Sequence, residues 1–204
     1  MKLAIAFAAC GLCSLAQAAD VSMPAPPAAV ADCVTCHGVA GRGNRAVGAP
    51  RLAGLPARYT EQQLRAFREG WRGSGADDIP GWEMQAVAAS LSDARIRAAA
   101  EWFAGLSPHA AADTVNGDAA RGEALYAGCA ECHGSDGRGR DDTDAPALAG
   151  RSDWYLLRQL ENYRAGRRGY HPDDERGQRM AASAAQLPDD AAVRAVVTYI
   201  NRLK

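Results

Sequence analysis

Two five-residue strings hold the chemistry this chain can perform. Cys33-Val34-Thr35-Cys36-His37 and Cys129-Ala130-Glu131-Cys132-His133 each set two thiols three positions apart, followed at once by an imidazole. On a helix, residues three apart share a face. Both thiols can then add to the vinyl groups of one porphyrin while the adjacent histidine addresses the iron, the pattern of covalent c-type haem attachment. Zinc ribbons space their paired C-x-x-C knuckles by roughly 15–20 residues, and these two lie much further apart. A disulfide in each pair would leave the histidines without a part. The reading is two covalently attached haem c groups, with Cys33, Cys36, Cys129 and Cys132 as the attachment residues and His37 and His133 as iron ligands.

What fills the second axial position of a histidine-bound iron decides its chemistry. Met84 and Met180 stand the same 47 residues after His37 and His133. A lone methionine is more often core filler, but this coincidence points to both as sulfur ligands. Thioether ligation raises the reduction potential, which suits a carrier. Two other histidines compete. His109 falls in a linker; His171 lies nine residues before Met180 but its counterpart in the first half is Gly75, so it is read as a surface residue with ligation as the alternative. Pro50 and Pro146 each follow a haem histidine by thirteen residues. Their carbonyls can accept a hydrogen bond from the second imidazole nitrogen, or each proline simply stiffens a turn.

These residues repeat because the chain does. With a shift of 96 residues, Gly41-Arg42-Gly43, Pro50, Leu52, Ala53, Gly54, Tyr59, Leu64, Phe67, Gly70 and Leu91 fall on Gly137-Arg138-Gly139, Pro146, Leu148, Ala149, Gly150, Tyr155, Leu160, Tyr163, Gly166 and Leu187. An ungapped register of this kind marks two tandem units. The spacing predicts an all-α fold, with helices over 56–70 and 152–166 and a last helix in each half after Ser92 and Asp189. Segments 38–54 and 71–86, rich in Gly and Pro, read as loops. Boundaries are expected at 20–107 and 108–204.

Residues 1–19 read as a signal peptide: Lys2, a short apolar run to Leu15, and the cleavage pattern Ala16-Gln17-Ala18. The run is too short to span a bilayer, so the expectation is an exported, periplasmic protein; a lipoprotein attached through Cys10 is the weaker alternative. A formal net charge of -1 offers no basic surplus for neutralising phosphates, which argues against a nucleic-acid partner.

The chain resembles class I cytochromes c, and more closely the dihaem cytochrome c4 group, on its CxxCHG strings, the segments PRLAGLPARYTEQQLRAFREGWRG and PALAGRSDWYLLRQLENYRAGRRG, and the stretches around Met84 and Met180. The resemblance implies two tandem class I cytochrome c domains facing each other, His/Met ligation in both, and carbonyls of Pro50 and Pro146 orienting the histidines. In the family a helix precedes the attachment string and crosses the last helix. Gly122, Leu125 and Tyr126 fit that in the second half, whereas before Cys33 there is room only for a short helix. The implied function is periplasmic single-electron transfer between respiratory donors and acceptors. Partners would be a terminal oxidase, a quinol-oxidising complex or a dehydrogenase, with peripheral membrane association through such a partner. The alternative is an electron-accepting subunit of a periplasmic dehydrogenase complex, such as flavocytochrome c sulfide dehydrogenase. The equivalence of Met84 and Met180 argues against an enzyme in its own right, such as a dihaem peroxidase or a thiosulfate-oxidising cytochrome, which needs one displaceable ligand.

Overall fold

The computed structural model describes residues 25–75, 77–109 and 111–203; the leader expected over 1–19 lies outside them. Among the described residues the first half holds α1 (Ala31–His37), α2 (Ala57–Arg68), α3 (Ile79–Ala89) and α4 (Asp93–Ala104). The second holds α5 (Ala119–His133), α6 (Asp153–Arg164), α7 (Glu175–Ala184) and α8 (Asp190–Ile200). Extended pairing among these residues is limited to isolated bridges, and no helix among them is long and apolar enough to cross a membrane.

Local chemistry sets these boundaries. The side chains of Ser92, Asp118 and Asp189 cap α4, α5 and α8 by accepting from backbone amides of the first turn, satisfying donors that have no partner inside a helix. α8 then buries Val193, Val196, Val197 and Ile200 on one side. They pack with Tyr126, Leu156, Leu160, Tyr163 and Leu187 into the core of the second lobe.

The segment around Met84, read as a loop, is helix α3, and its counterpart around Met180 is helix α7. Pro80 and Gly81 look like helix breakers, yet proline is tolerated in a first turn because its missing N–H would be unpaired there anyway. Glycine is what the cap requires. Asp78 accepts from the amide of Gly81 at 3.3 Å and Asp174 from that of Gly177 at 2.9 Å. A Cβ at either glycine would stand 2.2 or 2.0 Å from the capping carboxylate.

The two lobes differ at their openings. α5 lies across α8 so closely that a Cβ on Gly122 would fall 2.0 Å from the carbonyl oxygen of Ala195. Gly122→Ala is therefore expected to cost about 2 kcal/mol through overpacking. It should lower the melting midpoint by roughly 10 °C in a calorimetric scan of the loaded protein. In the first lobe α1 is only seven residues long. Among the described residues a 3-10 turn over Ala28–Val30 precedes it: Val30 is wholly buried, and Arg95 on α4 pairs with Asp32 at 2.8 Å. The shorter opening does not expose the haem histidine, since His37 is 4% and His133 7% exposed.

The connection after α4 is pinned to the second lobe by Asp153, which has no exposed surface. Its carboxylate accepts from the amide and hydroxyl of Thr114, the amide of Val115 and the side chain of Asn201. Burial alone would raise its pKa; those donated hydrogen bonds outweigh it and hold the group below the usual carboxylate range.

Candidate functional site

Each attachment string forms the last turns of a helix, α1 or α5, so its two thiols emerge on one face and its histidine at the end. The chain must then reverse sharply. Gly43 and Gly139, at φ 79° and 83°, donate their amides to the carbonyls of His37 and His133 at 2.9 and 2.8 Å. A Cβ on Gly43 would lie 2.6 Å from the carbonyl carbon of Pro50, and one on Gly139 2.5 Å from the carbonyl oxygen of Ala145. That tight return brings Pro50 and Pro146 under the imidazoles, where their carbonyls accept hydrogen bonds from Nδ1 of His37 and His133 at 2.8 and 2.9 Å. With Nδ1 donating, Nε2 carries the free lone pair, the state an iron ligand needs. Burial pushes both imidazoles below their ordinary pKa, partly opposed by the bonds to proline, which further favours the neutral, ligating form.

A cavity of about 540 Å³ runs through both lobes. Its wall includes Cys33, Cys36, His37 and Met84 from the first half and Cys129, Cys132, His133 and Met180 from the second. All eight predicted residues thus border one space. The four cysteines are free and half-buried or exposed. Among the described residues no three His, Cys, Asp or Glu side chains gather as a metal cluster. Leu52, Leu55, Phe67, Leu91 and Phe103 line the first part of the cavity, and Leu148, Leu156, Leu160 and Val196 the second. Paired thiols, an oriented imidazole, a thioether and an apolar wall are the donor set and surroundings that a covalent haem requires. His171 is not on this wall. It is partly buried, stacks on Trp71 of the other lobe with ring centroids 5.7 Å apart and accepts at Nδ1 from the amide of Asp173.

The reading from sequence overlooked the seam between the lobes. Arg72 donates to Gln63, Tyr155 and Gln159, and Arg168 donates to Gln159, Tyr59 and Gln63. The pairs Arg72/Arg168, Tyr59/Tyr155 and Gln63/Gln159 are twins under the 96-residue shift, so the net is nearly symmetric across the seam. That shared register was the available signal. Burial alone would raise the Tyr155 phenol, but Arg72, Arg168 and Arg158 together bring it below its ordinary pKa. Further bonds cross the seam from Arg158 to the carbonyl of Gly48 at 2.7 Å and from Tyr170 to that of Gly70 at 3.0 Å.

Comparison with known proteins agrees with this architecture. A family model for cytochrome c matches residues 28–107 and again 119–204. Over 200 residues the chain is 38% identical to a thiosulfate dehydrogenase electron acceptor of Stutzerimonas stutzeri (strain A1501), covering 90% of this chain and 86% of that protein. Reduced cytochrome c4 from Pseudomonas stutzeri superposes with a TM-score of 0.64 at 30% identity, over 84% of this chain and 93% of that one. A thiosulfate dehydrogenase structure from Marichromatium purpuratum gives 0.67 at 34% identity, over 82% of this chain but 35% of that one. The chain thus spans about a third of that larger protein. On the twofold family match and the paired attachment strings, the chain belongs to the cytochrome c family, as two tandem cytochrome c domains of the dihaem cytochrome c4 group with two covalently bound haem c groups.

Proposed function

We propose that this chain is the electron acceptor of a periplasmic thiosulfate-oxidising dehydrogenase, taking electrons singly into its two haems and handing them to a further respiratory acceptor. The observation that carries this reading is likeness along 90% of the chain to a protein named for that role, joined to two donor sets that leave no preference between lobes. It takes up the alternative expected from sequence, an electron-accepting subunit of a periplasmic dehydrogenase complex, with a thiosulfate-oxidising donor as the example, and it is compatible with the general carrier reading.

In this reading the lobes are 20–107 and 108–204, His37 and Met84 ligate the first iron, and His133 and Met180 the second. The haems supply a one-electron couple. The protein fixes each imidazole through Pro50 or Pro146, supplies the thioether, and excludes bulk water with an apolar wall, so little rearranges when charge changes. With His37 and Met84 holding one iron and His133 and Met180 the other, neither would keep a site for substrate, and in this reading thiosulfate oxidation would be left to the dehydrogenase.

The test is stopped-flow absorbance. Thiosulfate alone should leave the ferric protein oxidised, and adding catalytic amounts of a thiosulfate dehydrogenase should reduce both haems within seconds. Reduction by thiosulfate without the dehydrogenase, or carbon monoxide binding to either reduced haem at neutral pH, would show an open iron and an enzyme. No reduction with the dehydrogenase present would return the chain to the general carrier reading.

A further inference from the structure

Two cations meet on the cavity wall at the seam, and the structure gives them no anion. Arg51 follows Pro50, is 6% exposed, and has both Nε and Nη1 buried without a hydrogen-bond partner. Arg151 precedes α6; its Nη1 crosses the seam to the carbonyl of Ala53 at 3.0 Å, while its Nε is likewise buried and unpartnered. Both side chains border the haem cavity. Burial and then repulsion from Arg51 lower the Arg151 guanidinium to about 10, and burial first of all lowers that of Arg51.

Most carboxylates on the same wall are engaged elsewhere, and the exposed Glu83 bonds to neither arginine. Asp32 pairs with Arg95, Asp142 with Arg140, and Asp144 with Arg58 and Arg176, while Asp78 and Asp174 cap α3 and α7. Nor does the repeat account for this pair. The twin of Arg51 is Ala147 and that of Arg151 is Leu55, so one cation comes from each lobe at unrelated positions. In this they differ from Arg72 and Arg168, which are twins and share neutral oxygens of twinned partners, with only Nε of Arg72 left unpartnered. A desolvated guanidinium without an anion is costly, and its planar fork matches a carboxylate.

We propose that Arg51 and Arg151 together form one carboxylate-binding site across the seam, occupied by a propionate of the first-lobe haem. Arg51 is adjacent to the proline that orients His37, which assigns the site to that haem and not to its neighbour. Three consequences follow from two cations on one propionate. The carboxylate stays ionised throughout the neutral range, its charge is screened from the iron, and the first haem bridges the lobes. This rests on haem being bound in the cavity, which the haem count per chain checks separately in every sample.

The experiment is spectroelectrochemical titration of the loaded protein and of its Arg51→Gln, Arg151→Gln and Arg151→Lys variants at a series of pH values from about 5 to 8, bracketing the carboxylate-to-imidazole range. In the parent both one-electron waves should be nearly independent of pH. In either glutamine variant one wave alone should fall in potential and acquire a pH-dependent slope, as the released propionate takes up a proton on reduction. Arg151→Lys, which keeps the charge, should restore most of the flat behaviour. A role in folding alone would not create a pH slope in one wave, so flat, unshifted waves in both glutamine variants would overturn the proposal. So would a parent midpoint that tracks chloride or phosphate concentration and loses that dependence in the variants, because the site would then hold an anion from solution.

Discussion

Replacing Cys129 and Cys132 together with serine is expected to cut the haem content of the purified protein from two per chain to one and to unfold the second lobe. The first lobe should keep its absorption bands. Serine cannot form the thioether, and His133 alone holds a porphyrin only by a reversible bond. The structural cost follows from what the haem would otherwise fill. The core around Tyr126, Leu156, Leu160, Tyr163 and Val196 is built against the cavity, with Cys129, Leu148 and Met180 packed onto it. At about 24 cal/mol per Å³, half of a cavity of 540 Å³ corresponds to roughly 6 kcal/mol. That is comparable with the whole stability of a small domain, about 5–15 kcal/mol. Haem quantification by pyridine haemochrome, intact mass, and far-ultraviolet circular dichroism would check it. Two haems in the double variant would refute the attachment assignment. The matching Cys33/Cys36 variant should spare the second lobe.

Met84→Ala and Met180→Ala should each remove half of the red ferric charge-transfer absorbance that marks methionine-bound haem, and each should lower one midpoint potential by on the order of hundreds of millivolts. The two variants should behave alike, because their surroundings are alike. Met84 lies on α3 and Met180 on α7, and both helices start at an aspartate cap on a glycine amide. The preceding turns also match: a Cβ on Gly73 or Gly169 would lie 2.3 Å from the carbonyl oxygen of Gly81 or Gly177. That contact fixes where each helix begins and so where its methionine faces. Near-infrared spectra with redox titration would measure both effects. If neither variant lost the band, the sulfur ligands would have to be sought elsewhere.

What could be read in the chain beforehand was whatever depends on short-range spacing or on the repeat. The attachment strings and the shift of 96 residues named the cofactor and the tandem plan, and the methionines at a common interval supplied the proposed donors. The helical periods placed α2, α4, α6 and α8 to within a few residues. Gly43 and Gly139 kept their register because only a residue free to adopt positive φ lets the chain fold back under its histidine.

Tertiary structure decided the rest. Pro80 and Gly81 break helices in local statistics, and only the cap from Asp78, together with the loop at Gly73 pressed against it, makes them the start of α3. The seam lies further from sequence logic still. Arg72 reaches Tyr155 and Gln159 across 83 and 87 residues, and Arg158 reaches Gly48 across 110. An arginine in a polar stretch of helix or loop looks like solvated surface until a second lobe closes over it. Burial is a property of what packs against a residue, and Arg72, Arg151 and Arg168 are each held by groups from the other half of the chain.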